Sequence, residues 1–338
     1  MILPGARITK PVALAMMVSL IMVANADSQT HIRLTSKRPL MGTEVGMVLY
    51  AVDSIAAVEA MELAFARITD LNNLLSDYLT ESELSQLSNT HNQSVQVSDD
   101  LWQVLYTAQE ISHASAGAFD VTVGPLTLLW RRAMRRAMLP DSTDLDEAMT
   151  AVSYESLQLD LVSQTVRLQK DNMRIDLGGV AKGYIADQAL EVLVREGFPR
   201  AAVDVGGDIS LGDVPPHSDG WSVKVFSEES ETGDMILKNC GIAVSGDSYR
   251  YLDYQGVKYS HILDPNTGYG VTHERKVAVI APNAMIADAW ASAYSVMDWR
   301  VIPLSIQEWD GLSIRIVEPD GTGLRELETG KFIGREQF

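Results

Sequence analysis

A single cysteine among 338 residues, Cys240, allows no intrachain disulfide. It also lies far from the N-terminus, so no lipidated cysteine can follow a leader. A lone cysteine of this kind is ordinarily a small buried core residue, and a catalytic thiol is the sharper alternative. Positive charge is also scarce: 27 Lys and Arg stand against 45 Asp and Glu, a formal net charge of -18. Such a surface repels phosphate backbones, which argues against nucleic acid as a partner unless basic residues gather locally. The one gathering is Arg131, Arg132, Arg135 and Arg136, on an expected helix. Its ordinary reading is a solvated face; a site for an acidic partner or a nucleotide phosphate is the alternative.

Familiar catalytic signatures are missing as well. The chain carries no G-x-x-x-x-G-K-[ST] phosphate loop, no G-x-G-x-x-G after a strand, no G-x-S-x-G and no H-E-x-x-H. Its six histidines include no i, i+4 pair, which leaves a zinc site without support. No repeat or long low-complexity tract appears, so arrays and solenoids fall away. With 46% apolar and 21% charged residues the balance is that of a globular protein.

Long apolar runs are confined to the start. Arg7 and Lys10 precede an apolar run over Val12–Val23, which ends in Ala24-Asn25-Ala26 and then polar Asp27-Ser28-Gln29. A run of that length falls short of the roughly 20 residues a membrane span needs, and the A-x-A pattern marks a cleavage site. Residues 1–26 therefore read as a cleaved signal peptide, with a retained anchor as the alternative. Residues 27–338 read as one domain, exported and without a lipid anchor.

Along that domain, a strand is expected over Glu44–Val52. Asp53 then caps a helix to Leu75 that counts Ile55, Val58, Leu63 and Ile68 among its apolar positions. A short helical piece follows at Glu83–Asn89, then a helix capped by Ser98 that Gly117 ends, a helix at 123–137 and a short one at Asp141–Val152. From Leu157 the pattern turns to strands: a hairpin at 157–160 and 165–168, then Met173–Leu177. A helix over Val180–Glu196 precedes strands at 201–205, 221–226, 234–239, 242–246, 257–262 and 276–281, and Pro282-Asn283 opens a last helix to Met297. Helices early and strands late predict an α+β fold of mixed sheets, not a regular βαβ repeat.

The chemistry gathers in Asp-plus-Gly clusters. Asp176-Leu177-Gly178-Gly179 leads into the helix carrying Lys182, where exposed N–H groups and a positive helix end favour phosphate. A tight turn before a helix explains it equally well. Asp204-Val205-Gly206-Gly207-Asp208 and Asp264-Pro265-Asn266-Thr267-Gly268 are ordinary turn chemistry by themselves. His261, just before the second of these, is a possible acid/base group or nucleotide contact. On the last helix, Asp288 and Ser292 are spaced i, i+4 and share a face, so a carboxylate and a hydroxyl can address one hard cation such as Mg²⁺. A simple helix surface is the plainer reading of that pair.

In order along the chain, eight segments resemble the ApbE family, the FAD:protein FMN transferases. They are Met41-Gly42-Thr43, Ser82–Asn89, Gly117–Pro125, Asp176–Tyr184, Val203–Asp208, Ser245-Gly246-Asp247, Tyr259–Gly268 and Ala281–Ala289. The resemblance implies an ApbE-like α+β fold with a deep FAD cleft and no Rossmann fold. It implies FAD contacts at Met41, Tyr78, Ala118, Phe119, Asp120, Asp176, Lys182 and Ile262. It further implies Mg²⁺ held by the Gly179 carbonyl, Asp288 and Ser292; the family usually has Thr at the last position, and Ser keeps the hydroxyl while losing a methyl that restricts its rotamer. The implied reaction moves FMN from FAD to a Thr or Ser hydroxyl of a membrane-associated redox subunit, with AMP leaving. His261 and Asp264 are the candidates for the base that takes the acceptor proton. Many family members are lipoproteins, and this chain departs from them there. The rival readings are FAD hydrolysis to FMN and AMP at the same metal, and a flavin-binding protein without activity. Nothing in pure binding requires Asp288 with a hydroxyl beside it.

The leader yields a direct test. N-terminal sequencing of protein recovered from the exported fraction should begin at Asp27; an intact Met1 on soluble cytoplasmic protein would refute export.

Overall fold

The computed structural model describes residues 31–226, 235–246, 251–305, 309–321 and 323–332. The expected leader, its cleavage point before Asp27, and Asp247 lie outside the described residues. The chain opens with a hairpin of β1 (Ile32–Leu40) and β2 (Thr43–Ala51). Its two-residue turn, Met41-Gly42, takes positive φ at both positions, 55° and 71°, the geometry that matches the right-handed twist of paired strands. Then follow α1 (Ser54–Leu75), α2 (Glu83–Ser88), β3 (Val95–Gln96), α3 (Asp99–Ala114), α4 (Gly124–Arg136) and α5 (Ser142–Thr150). The hairpin β4 (Leu157–Asp160) and β5 (Thr165–Leu168) leads to α6 (Ala181–Arg195). After it come β6 (Ala201–Val205), β7 (Asp208–Leu211), β8 (Trp221–Val223), β9 (Met235–Leu237), β10 (Cys240–Gly246), β11 (Tyr251–Tyr254) and β12 (Val257–Ser260). The chain continues with β13 (Lys276–Ala281), α7 (Ala284–Val296), α8 (Ile302–Ser305), β14 (Ser313–Pro319) and β15 (Leu324–Glu328).

Among the described residues, eight strands form the main sheet in the order β1-β2-β6-β7-β10-β13-β14-β15. Every neighbouring pair in it is antiparallel. An α+β fold is therefore present, and the parallel order of a dinucleotide-binding βαβ sheet is not. Helices α1, α6 and α7 cover one face, where Val45, Met47 and Leu49 of β2 meet Val203, Val277 and Val279 in the principal core. The other face of the sheet carries a smaller core under the β8–β9 hairpin, built on Trp221, Met235, Leu237 and Ile242. Cys240 belongs to this second core, and burial pushes its thiol above the ordinary value, so it is the small apolar residue its surroundings require.

The helix caps follow the sequence. Asp53 accepts from the N–H groups of Ile55 and Ala56, Ser98 from that of Leu101, and Asn283 from that of Ile286. The inward face of α1 differs from expectation. Ile68 is buried, but Ile55, Val58 and Leu63 are 72%, 48% and 50% exposed. The buried stripe is Ala57, Ala60, Met61, Ala64, Phe65, Ile68 and Leu71, because alanines let α1 lie close against α6. Met173–Leu177 is also not a strand. Met173, Ile175 and Leu177 alternate inward as a strand would, yet the backbone there makes one bridge, Val123 to Arg174, and otherwise bonds to the Val121 carbonyl and Ser88 Oγ. Strands β1, β3, β7, β11, β14 and β15 lie outside the sequence expectations; charged residues punctuate β1 and β15, which pairing rather than apolar alternation defines.

Two glycines set how closely the layers approach. A Cβ at Gly183 on α6 would collide with the Ala284 carbonyl and lie 2.8 Å from the Met285 Cα, and one at Gly241 on β10 would collide with the backbone of Asn283 and Ala284. Both obstacles are backbone, which cannot swing aside. Gly183→Ala should therefore destabilise the protein by about 1–3 kcal/mol, the usual cost of overpacking. A urea denaturation midpoint equal to that of the unaltered protein would contradict this contact.

Candidate active site

The α6 N-terminus and the middle of α7 are brought face to face. Asp176 Oδ1 accepts from the Gly178 N–H at 2.7 Å, which closes the turn that delivers Gly179 and Val180 to the start of α6. The N-cap residue Val180 offers no side-chain acceptor to the first N–H groups of that helix. One of them, Gly183 N–H, donates instead to Asp288 Oδ2 of α7 at 3.2 Å. A carboxylate at the positive end of a helix is favourably placed. Gly179 lies against Ser292, whose Oγ is 2.7 Å from where a Cβ of Gly179 would sit, and the ring of Phe119 is 3.3 Å from the same point. Three segments far apart in sequence thus converge: the Phe119 loop, the Gly178-Gly179 turn and α7.

Charge gathers at the same place. Lys182 forms an ion pair with Asp208 and lies 3.8 Å from Asp288 Oδ1. Asp208 and Asp288 are 2% and 5% exposed. Burial, with the neighbouring Asp288 charge, pushes the Asp208 carboxyl up to about 7. Burial likewise raises Asp288, against the pull of Lys182. Burial works to lower Lys182, but the two carboxylates outweigh it and keep the ammonium charged. When both carboxylates ionise, two of them around one ammonium leave an uncompensated negative charge beside a hydroxyl and a glycine turn.

That donor set fits a hard divalent cation. Asp288 could supply a carboxylate, Ser292 a hydroxyl and Gly179 its carbonyl, all oxygen and none soft. Among the described residues no group of three or more His, Cys, Asp or Glu side chains could hold a metal. A cation here would thus rest on one carboxylate and neutral oxygens, and would take its other ligands from water and substrate phosphates, as Mg²⁺ commonly does.

A second constellation forms around α4. Arg131 Nη1 donates to Asp77 Oδ2 at 2.5 Å, Nη2 reaches Asp176 Oδ2 at 3.5 Å, and the guanidinium lies 3.9 Å from the ring centroid of Tyr78. Burial and then the Asp176 charge raise the Asp77 carboxyl, while Arg131 pulls it down. On the other side of α4, Trp130 Nε1 donates to the Gly268 carbonyl at 2.8 Å and anchors the loop of His261, Ile262 and Asp264. His261 is exposed and Ile262 partly so. Asp264 is tied into its turn, Oδ1 accepting from Asn266 N–H at 2.9 Å and Oδ2 from Thr267 Oγ1 at 3.1 Å.

The family model for the ApbE family matches residues 41–312. The chain belongs to the ApbE family. The FAD:protein FMN transferase of Haemophilus influenzae is 31% identical over 245 residues, covering 69% of this chain and 70% of that protein. Among solved structures, the ApbE protein of Thermotoga maritima superposes with a TM-score of 0.76 at 28% identity, covering 90% of this chain and 98% of that one. A variant of the flavin transferase ApbE from Vibrio cholerae gives 0.77 at 25% identity, covering 89% and 98%.

Of the residues the ApbE resemblance singled out, the fold unites Phe119, Gly179, Lys182, Asp288 and Ser292 in one cluster and Tyr78 with Asp176 in another. Ala118 is buried in the loop beside Phe119. Asp120 spends its carboxylate on that loop, accepting from Thr122 N–H at 2.7 Å and Tyr154 N–H at 2.9 Å. Met41 stands in the β1–β2 turn. The next residue but one, Thr43, packs on Gly206 of the Gly206-Gly207 turn that leads to Asp208. Sequence reasoning read Asp208 as turn chemistry only and passed over Asp187. Asp187 on α6 accepts from Ser210 Oγ at 2.7 Å and from the Ala284 and Met285 N–H groups at 2.9 Å each. It ties β7 and the α7 N-terminus to α6. No local pattern marks Asp187, and an acid after Gly-Gly, as Asp208 is, reads as a turn until the sheet buries it. Of the four clustered arginines, Arg131 turns inward, while Arg132, Arg135 and Arg136 are exposed. Of two surface cavities, one of about 440 Å³ between α3 and the β4–β5 hairpin includes none of these site residues, and one of about 470 Å³ between α3 and α6 includes only Asp187.

The buried charges make stability depend on pH. Asp208 titrates near 7 in the folded protein, above the ordinary 3.8, so the folded state binds this proton more tightly than the unfolded chain. Stability of the metal-free protein should fall as pH rises between those values and level off above, and Asp208→Asn should flatten the slope. Lys182→Met, which strands both carboxylates, should cost about 3–5 kcal/mol near neutral pH. Melting temperatures across pH 4–8 in chelator-treated buffer, about the span over which acid-linked stability changes, check both; an unchanged profile in Asp208→Asn would contradict the assignment.

Proposed function

We propose that this chain transfers FMN from FAD to a Thr or Ser hydroxyl of a target redox protein, in a Mg²⁺-dependent reaction that releases AMP. The observation that carries the reading is the meeting of the Gly178-Gly179 turn with Asp288 and Ser292 beside Lys182. Phosphoryl transfer asks little covalent chemistry of a protein; it asks for positioning and for charge opposite the phosphate oxygens. The positive end of α6 faces the pyrophosphate, and Lys182, its second residue, adds a fixed ammonium there. Gly179, Asp288 and Ser292 would hold Mg²⁺, which when bound supplies positive charge against the same oxygens.

In the reaction the acceptor oxygen bonds to the phosphorus of the FMN half, the pyrophosphate bond from that phosphorus breaks, and AMP departs. The acceptor hydroxyl must lose its proton. Of the two candidate bases, exposed His261 is better suited than Asp264, whose two oxygens already serve its turn. Tyr78, Phe119 and Asp176 would bind the flavin half. The expected leader fits a chain working in the periplasm on a membrane-associated redox subunit that faces that compartment.

Transfer rate against Mg²⁺ concentration separates the roles. Asp288→Ala should lower the rate by about 10²–10³, the typical cost of losing one electrostatic stabiliser. Ser292→Ala should raise the Mg²⁺ requirement, and Ser292→Thr should preserve or improve activity. Near-normal rates in Asp288→Ala at low Mg²⁺ would sink the metal assignment. Asp176→Ala should weaken FAD binding strongly by flavin-fluorescence titration. Incubation with FAD and Mg²⁺, with and without an acceptor protein, followed by mass spectrometry for added FMN, tells transfer from hydrolysis.

A further inference from the structure

Tyr78 leaves a large ring 69% exposed in the loop between α1 and α2. One face of that ring is covered by the Arg131 guanidinium, 3.9 Å from its centroid. The loop is fixed at Asp77, the residue before it: Arg131 holds the Asp77 carboxylate at 2.5 Å, and Arg174 Nη2 donates to the Asp77 carbonyl at 3.1 Å. The remaining arm of Arg131 lies 3.5 Å from Asp176 Oδ2, in the turn that delivers Gly179. One side chain on α4 therefore joins an exposed aromatic face to the phosphate-binding turn. A planar guanidinium can stack on a ring and fork between two carboxylates at once, which a lysine ammonium cannot.

We propose that Arg131 is the positioning residue of the flavin half of this site: it backs Tyr78, so that the open face of the ring receives the isoalloxazine, and holds Asp176 in register with that face. The inference rests on the flavin-transfer reading above. Without Arg131 the tyrosine ring has to be ordered by the ligand, and ordering one mobile side chain on binding costs between about twofold and tenfold in affinity. Releasing Asp176 at the same time brings the expected loss to about tenfold or more. The neighbouring arginines differ in kind: Arg135 lies one turn further along α4 and is exposed.

The test is FAD titration by flavin fluorescence, together with steady-state transfer kinetics, on the unaltered protein, Arg131→Lys, Tyr78→Ala, the double variant and Arg135→Lys. Arg131→Lys should weaken FAD binding about tenfold, raise the KM for FAD more than it lowers kcat, and restore emission of bound flavin that the aromatic stack quenches. Arg135→Lys should match the unaltered protein. In the Tyr78→Ala background, Arg131→Lys should add much less than it does alone, the signature of coupled residues. Tyr78 is too exposed for its removal to unfold the chain, so the cycle is readable even if Arg131→Lys lowers stability. Equal FAD affinity in Arg131→Lys, or losses that simply multiply in the double variant, would overturn the inference while leaving flavin transfer intact. Failure of the unaltered protein to bind FAD would overturn the flavin reading, and this inference with it.

Discussion

The close approach of α6 and α7 is the constraint on which this molecule depends. Gly183 and Gly241 remove the side chains that would keep the start of α7 away from α6 and β10. Asp187 then holds the α7 N-terminus to α6 with a pair of hydrogen bonds. Asp288 can reach the Gly183 N–H, and Ser292 can face Gly179, only because the backbones are this near. At the other end of α7, Arg275 Nη1 donates to the carbonyls of Tyr294 and Met297, so the helix is fixed at both termini. A site built on two rigid, clamped helices holds its groups more closely than one built on loops.

The same proximity creates an electrostatic problem that the site uses. Lys182 meets the buried Asp208 and Asp288, and once both carboxylates ionise the group carries one negative charge in excess. A fold selected only for stability would do better with apolar residues there. On the proposed reading, the excess charge is the counterpart of a cation that arrives with a phosphate ligand, and the ammonium that of the phosphate. The -18 net charge concerns the whole surface and says little about this pocket of opposed charges.

Helix α4 joins the remaining parts. Trp130 holds the loop carrying His261, and Arg131 holds Tyr78 and Asp176. Consecutive residues on a helix point about 100° apart, so one short element can serve two different loops. The arginine cluster that looked uniform in sequence is divided by this geometry into one inward residue and three exposed ones.

Local signals in the sequence determined the helix starts at Asp53, Ser98 and Asn283, the β4–β5 hairpin, the α+β class and the pairing of Asp288 with Ser292 on one face. These depend on neighbours within about one helical turn or one hairpin, which a linear pattern records. The ordered series of Asp-Gly segments was enough to indicate the family. Tertiary structure alone decided the eight-strand order, the strands β1 and β15 that pair despite their charge, and the outward turn of Ile55, Val58 and Leu63 on α1. It alone made Asp208 a buried partner of Lys182 and gave Arg131 its three contacts. Those outcomes depend on residues distant in the chain, since burial and ion pairing are properties of what the fold brings alongside a residue, and the residue's own neighbours in sequence carry no record of it.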